Sequence, residues 1–223
     1  MKNNSRDPER TRQRILDAAT AEFARYGLGG ARVDRIAARA GANKRMLYYY
    51  FRDKDNLFLA ALERCYSHIR AAERALDLEH LPPREALRRL VEFTWRYFLE
   101  HPEFLTLLNS ENLHKGRHVQ RSRNVPQINL PIVETLRGLL RRGEREGAFR
   151  RGIDPVQLYI SIAGEGYFYL SNRYTLSQIF GRDLMARPAL AERVRHNAEM
   201  ILQAVGSSTP SRRNRIVKKI RGL

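Results

Sequence analysis

The stretch Val33-Asp-Arg-Ile-Ala-Ala-Arg-Ala-Gly-Ala-Asn-Lys-Arg-Met-Leu-Tyr-Tyr-Tyr-Phe51 decides the fold. It reads as two short helices around a turn at Gly41, the residue type that adopts the helix-ending positive φ most freely. Ile36, Ala37 and Ala40 give the first helix an apolar face, and Asn43 is a favoured N-cap for the second. Leu47 and Phe51, four apart, seat the second helix on the first and turn the pairs Lys44/Tyr48 and Arg45/Tyr49 outward. A core has no use for such a face. A DNA major groove admits a helix that presents it.

Outward from this segment the helical spacing continues. A polar arm over residues 1–9 leads into a helix from Gln13 to Gly27, with Ile15, Ala18, Ala19 and Phe23 on one face. Asp53 is an expected N-cap for a long helix from Lys54 to about Glu79, whose buried stripe is Leu57, Ala61, Leu62, Cys65 and Ile69. Further helices are expected over Arg84–Glu100, Glu103–Leu113 and Ile132–Glu146. Another follows an Asp154 cap and Pro155 to about Tyr174, and a last one spans Pro188–Val205. Thr175–Phe180 reads as a short helix or turn, and between Lys115 and Pro131 the pattern is lost. No strand pattern or repeat stands out, so the predicted fold is all-α.

The order of helix, turn and helix, ending in Leu47-Tyr-Tyr-Tyr-Phe51 with Lys54 just beyond, resembles the DNA-binding domain of TetR-family transcriptional regulators. The resemblance covers about residues 10 to 60. It implies an N-terminal three-helix DNA-binding domain with a helix-turn-helix (residues 1–54) and a helical effector-binding and dimerisation domain (55–205). A basic tail, expected to be disordered, closes the chain at 206–223. It also implies a homodimer that places two recognition helices about 34–36 Å apart, or a multiple of that turn, on a pseudo-palindromic operator. Family precedent favours repression relieved by a small molecule, in the bacterial cytoplasm.

On this reading Lys44 and Arg45 donate to guanine edges, Met46 touches a thymine methyl or packs, and Tyr48 and Tyr49 meet backbone and base. Lys54 grips phosphate at a helix N-terminus. The chain departs from the family in two places. Arg32 stands where a capping hydroxyl is common, keeping a phosphate contact through charge while losing the cap. Asn43-Lys-Arg-Met46 replaces the commoner small or hydroxyl residues, which leaves the operator preference open.

The effector pocket is expected among polar groups set within rings. Candidates are Trp95 and Phe98 on one helix, Asn109, Asn112 and His114 along and after the next, and Glu165, Phe168, Tyr169 and Asn172 on one face of a third. Trp95 as plain core and His114 as a backbone partner are the bland alternatives. Gly164 and Gly166 suggest close helix approach or a ligand there, and with Ala198 mark the last two long helices as the expected dimer seam. The stretches Glu111–Ser122 and Tyr169–Asp183 resemble a C-terminal subgroup that includes regulators of pyrimidine and nicotinate catabolism. The implied effector is a small planar aromatic acid or pyrimidine.

Composition points the same way without deciding. The net charge is +17, of which residues 1–60 supply +6 (13 Lys/Arg, 7 Asp/Glu) and residues 206–223 another +6 (6 against none). Both ends are dense in cations, which suits a polyanion. A sequence-indifferent DNA-coating or membrane-surface protein is the rival binding class. The single Cys65 excludes an internal disulfide and reads as a small buried hydrophobe. No apolar run approaches a bilayer span, and no hydrophobic stretch follows the first charges, so neither membrane anchoring nor a secretory signal is expected. An enzyme would need a phosphate loop, a nucleophile–base motif or paired metal ligands. None is present, and His101, His114 and His118 are separated by a proline and a Gly116 turn. No catalytic residue, cofactor or metal is therefore expected.

Overall fold

Asp7 opens the first helix by accepting the Glu9 amide at 3.0 Å, with Pro8 at the first helical position. The computed structural model describes residues 7–207, so residues 1–6 of the arm and the tail from 208 onward lie outside the described residues. Ten α-helices follow one another among them: α1 Pro8–Gly30, α2 Val33–Arg39, α3 Lys44–Phe51, α4 Lys54–Arg74, α5 Pro83–Glu100, α6 Pro102–Leu113, α7 Asn124–Arg145, α8 Pro155–Ser171, α9 Arg173–Phe180 and α10 Arg187–Val205. The expected caps form: Asn43 accepts the Met46 amide at 2.9 Å, Asp53 the Asn56 amide at 2.7 Å and Asp154 the Val156 amide at 2.7 Å. Gly41 takes φ +58° at the turn between α2 and α3.

Besides α1, which starts at Pro8 inside the expected arm and continues past a kink at Gly27 to Gly30, three boundaries differ from the sequence expectation. Helix α4 stops at Arg74 instead of near Glu79, because Asp77 turns left-handed and drops Leu78 into the core. Arg142 then holds the Leu78 carbonyl at 2.9 Å. Helix α7 begins at Asn124, eight residues before the expected start at Ile132. Ser122 Oγ accepts the amides of Asn124 and Val125 at 3.1 and 3.0 Å, so a hydroxyl cap starts the helix ahead of the prolines. Pro126 falls in its first turn, where no partner for an N–H is required, and Pro131 lies on its exposed side. The long helix expected to reach Tyr174 breaks at Asn172 into α8 and α9.

Two apolar cores organise the chain. One runs without interruption from Ile15, Phe23, Leu47 and Phe51 of the first three helices through Phe58 and Leu62 of α4 to Phe98, Phe104 and Leu107 of α5 and α6. Phe23 and Phe58 meet edge to face at 5.2 Å. The other gathers Leu87, Leu90, Leu136, Leu158, Ile162, Ala198 and Leu202 from α5, α7, α8 and α10. The first three helices are therefore packed onto α4 and α6 rather than tethered beside them. At the far end α10 is pinned where Arg150 donates its amide to Val205 at 2.9 Å.

Candidate DNA-reading face and effector body

Helix α3 is seated as its spacing predicts. Leu47 is fully buried and Phe51 nearly so, while Arg45 is exposed beside Tyr48 and Tyr49, which are 46% and 81% exposed. Positions 45, 48 and 49 form one open face of a short helix. Lys44 is exposed and pairs with Asp34 of α2, a surface contact weak enough to yield to phosphate or base. Met46 is half-buried and packs against the core of the head. Lys54 sits in the first turn of α4, where unpaired amides and the helix dipole favour an anion.

The missing cap on α2 is replaced from elsewhere. Arg32 makes no side-chain cap, as expected, and its side chain stays exposed. Its amide instead donates to Glu22 of α1 at 3.0 Å, and Arg35 Nε reaches the same carboxylate oxygen at 2.6 Å. Burial opposes charge on Glu22, but these two bonds and the charges of Arg35 and Arg39 hold its carboxyl below the usual range. Sequence reasoning missed Glu22. The signal was a lone carboxylate between Ala18, Ala19 and Phe23 on the buried face of α1.

In the body, the nine effector candidates fall into three places. Trp95 and Phe98 are core residues: Trp95 meets Tyr169 edge to face at 5.4 Å, and Phe98 presses on Gly166, where a Cβ would lie 3.2 Å from its ring. Tyr169 donates its hydroxyl to the Leu184 carbonyl at 2.8 Å. At the end of α6, Asn109 accepts the Tyr167 hydroxyl, Asn112 is exposed and bonds back to Leu108, and His114 Nδ1 lies 2.7 Å from the Ser110 carbonyl. On α8, Glu165 pairs with Arg193 of α10 at 2.5 Å, Phe168 is 59% exposed and Asn172 bonds back to Phe168. The rings and the amides thus do not converge on one cavity.

A cleft of about 330 Å³ opens elsewhere, between the C-terminal half of α4 and the first half of α7, and none of the nine lines it. Arg70, Glu73, Leu78, Pro131, Ile132 and Thr135 contribute to its walls. Arg70 and Glu73 are almost wholly buried and face each other at 3.1 Å. Arg70 Nη2 also donates to the Tyr159 hydroxyl at 2.5 Å, and its guanidinium lies 5.0 Å from that ring. Its Nε and Nη1, and both oxygens of Glu73, make no hydrogen bond. Burial pushes the Glu73 carboxyl up to about 7, against the pull of Arg70 and Arg74. The sequence carried a trace of this: Glu73 continues the buried stripe of α4, four residues beyond Ile69.

The segment Glu111–Ser122 ties body to head. Glu111, buried, accepts the amides of His118 and Val119 at 2.8 and 2.9 Å and the His118 ring nitrogen Nδ1 at 2.5 Å. The His118 ring stands edge-on to Phe58, and Arg117 reaches Asp55 in the first turn of α4 at 3.2 Å. Leu28, just past the α1 kink, donates its amide to Ser110 at 3.2 Å. Among the described residues no group of three or more His, Cys, Asp and Glu is placed to hold a metal. Burial pushes the Cys65 thiol up to about 11, in keeping with a packing role.

Helices α8 to α10 present a different surface. Val156, Ile160, Gly164 and Phe168, each four residues apart, form a stripe along α8 that the described residues leave largely uncovered. Tyr174, Ile179 and Phe180 of α9, Met185 between α9 and α10, and Met200 of α10 are exposed apolar side chains as well. No helix of the described residues is long and apolar enough to cross a membrane.

Comparison with known proteins places both halves. A model described as bacterial regulatory proteins of the tetR family matches residues 15–61, and one described as the tetracyclin repressor-like C-terminal domain matches residues 83–201. The chain is 40% identical over 197 residues, 88% of its own length and 93% of the relative's, to the HTH-type transcriptional repressor NicS of Pseudomonas putida. It is 41% identical over 114 residues to an HTH-type transcriptional repressor of Streptomyces coelicolor, covering 50% of this chain and 55% of that one. The crystal structure of another transcriptional regulator from Streptomyces coelicolor superposes with a TM-score of 0.64 at 27% identity, over 88% of this chain and 99% of that one.

Proposed function

The chain belongs to the TetR family of DNA-binding transcriptional regulators, and from that premise we propose a homodimeric repressor released from a pseudo-palindromic operator by a small aromatic or heteroaromatic effector. The observation that carries the DNA-reading part is α3: Arg45, Tyr48 and Tyr49 stand open on a helix locked by Leu47 and Phe51. Arg45 reads guanine, Lys44 and Asn43 flank it, Tyr48 and Tyr49 meet backbone and base, and Lys54 with the exposed Arg32 takes phosphate. Met46 serves packing more than the groove. The uncovered stripe on α8 supports the dimer, since one head reads too few base pairs for a unique site. Such a protein works in the cytoplasm, where its operator lies.

The test is selection of a binding site from random duplex, followed by competition at physiological salt. A regulator prefers its selected pseudo-palindrome by roughly 10³ or more over random DNA. Equal affinity for both would assign the chain to sequence-indifferent DNA coating instead.

A further inference from the structure

Helix α3 ends on a backbone that an arginine seldom adopts. Arg52 takes φ 65° and ψ −54°, its amide donates to the Tyr48 carbonyl at 2.8 Å, and the Asp53 amide donates to the Phe51 carbonyl at 2.7 Å. That three-residue loop is the rare, strained form of γ-turn, which glycine tolerates better than any residue with a side chain. The turn before α3 uses Gly41 at φ +58°, yet this one uses arginine. Against the helical φ of about −63°, the rotation carries Cβ to where the carbonyl carbon would otherwise lie. The side chain therefore runs on past the end of α3 while the main chain turns off into α4. Arg52 is exposed, and its side chain has no hydrogen bond, ion pair or ring contact among the described residues. The acids beside it in the chain are committed elsewhere. Asp53 accepts the Asn56 amide at 2.7 Å and the Asn56 side-chain nitrogen at 2.9 Å, and Asp55 takes Arg117.

Position 52 also continues the open face of α3, three residues from Tyr49 and four from Tyr48. In a helix whose N-terminal residues lie on base edges, the other end is the one that meets the DNA backbone. We propose that Arg52 is a further DNA contact of this regulator, a guanidinium that the strained turn delivers to a backbone phosphate at the C-terminal end of the reading helix. The planar fork suits phosphate oxygens, and no internal partner has to be released first. This deepens the functional reading above and rests on α3 as the helix that enters the groove.

The experiment compares the full chain with Arg52→Gln, which keeps a side chain on the strained turn and loses the charge. The control is Arg96→Gln, which removes the same charge from an exposed position on α5. Binding is titrated on the selected operator and on random duplex between roughly 50 and 200 mM salt. Arg52→Gln is expected to weaken both duplexes roughly tenfold and to flatten the salt slope by about one unit. Arg96→Gln is expected to stay near the parent. A parental slope in Arg52→Gln, or an equal loss in the two variants, overturns the proposal. So does a loss confined to particular base pairs, which would make Arg52 a base reader. A cation that served only the C-terminal dipole of α3 would change the melting point and leave the slope alone. Arg52→Gly separates contact from strain: it is expected to melt about 2–4 °C higher and still to lose the same DNA affinity. Undiminished affinity in that variant, or a midpoint no higher than the parent's, overturns the proposal. Phosphates line every duplex, so random DNA decides the role of Arg52 even where the parent shows no operator preference. That last outcome sinks the reading as a sequence-specific regulator and leaves the contact standing.

Discussion

Phe168→Asp, alone and with Ile160→Asp, tests the dimer at the place where the subunit is unfinished. Phe168 is 59% exposed and Ile160 54%, and both lie on the uncovered stripe of α8. Full burial of such a side chain is worth about 1.5–3 kcal/mol, so covering the exposed part of Phe168 contributes roughly 1–2 kcal/mol. A two-fold axis counts it twice, giving roughly 2–4 kcal/mol, or about 30- to 1,000-fold in the dimer dissociation constant, before any desolvation of the new carboxylate. The subunit itself loses little, because Phe168 is not part of its core. We expect sedimentation to show folded monomer at micromolar concentration, with full helical circular dichroism and operator binding lost at concentrations where the parent binds. A variant that remains dimeric, or that unfolds with the loss of dimer, would refute the assignment of this face. Ala198, expected from sequence to mark the same seam, is fully buried in the subunit's own core, so a charge there breaks folding and cannot serve as the probe.

Arg45→Ala is expected to lower operator affinity and to relax base preference by about 1–3 kcal/mol at one position per half-site, whereas Lys54→Ala weakens all duplexes alike and flattens the salt slope by about one unit. Binding titrations on the selected operator and its single-base variants check both. Glu73, raised from 4.5 to about 7, keeps a proton in the folded state that the unfolded chain releases. Stability of the ligand-free protein should therefore fall as pH rises from about 5 to about 7, by at most about 3 kcal/mol. Urea unfolding across that range should show the slope in the parent and lose it in Glu73→Gln. Glu22→Gln should destabilise the head by about 1–3 kcal/mol, since the amide loses the charge that Arg35 and the Arg32 amide face. Thermal melts of the two proteins at neutral pH decide it.

The parts legible in sequence were those governed by local rules. Asn43, Asp53 and Asp154 cap helices because a short polar side chain can reach the second or third amide, which spacing alone reveals. Leu47 and Phe51 are buried because they lie four apart on a short amphipathic helix. What stayed hidden depends on partners distant in the chain. The start of α7 rests on Ser122, itself fixed by donating to Glu63 at 2.5 Å, while Pro126 and Pro131 argued locally for irregularity. The pairing of Glu165 with Arg193 depends on α10, and the Gly166 contact is set by the Phe98 ring. At Gly164, four residues from both Ile160 and Phe168, a Cβ would meet no other described atom within 4 Å. A pair of glycines that sequence could only treat together thus divides into one packing against α5 and one left on an open stripe.

Helix α4 is where these observations meet. It begins with Lys54, the proposed phosphate position, and Asp55, which takes Arg117 from the segment after α6. Sixteen residues later it carries Arg70, and then Glu73, into the cleft. At 1.5 Å per residue the two ends of that lever are about 24 Å apart, so a tilt of about 5° at the cleft moves the head by about 2 Å. The continuous core from Phe23 and Phe58 to Phe104 means that the head has no slack to absorb such a tilt. Glu111 and His118, buried against Phe58, hold the lever at its head end, so its motion must also displace α6. A ligand changes operator affinity only through its preference for one position of the lever. A 100-fold release needs about 2.7 kcal/mol of such preference. One hydrogen bond to a charged group, made in one tilt and not in the other, is enough to supply it, since such a bond is worth about 1.5–3 kcal/mol.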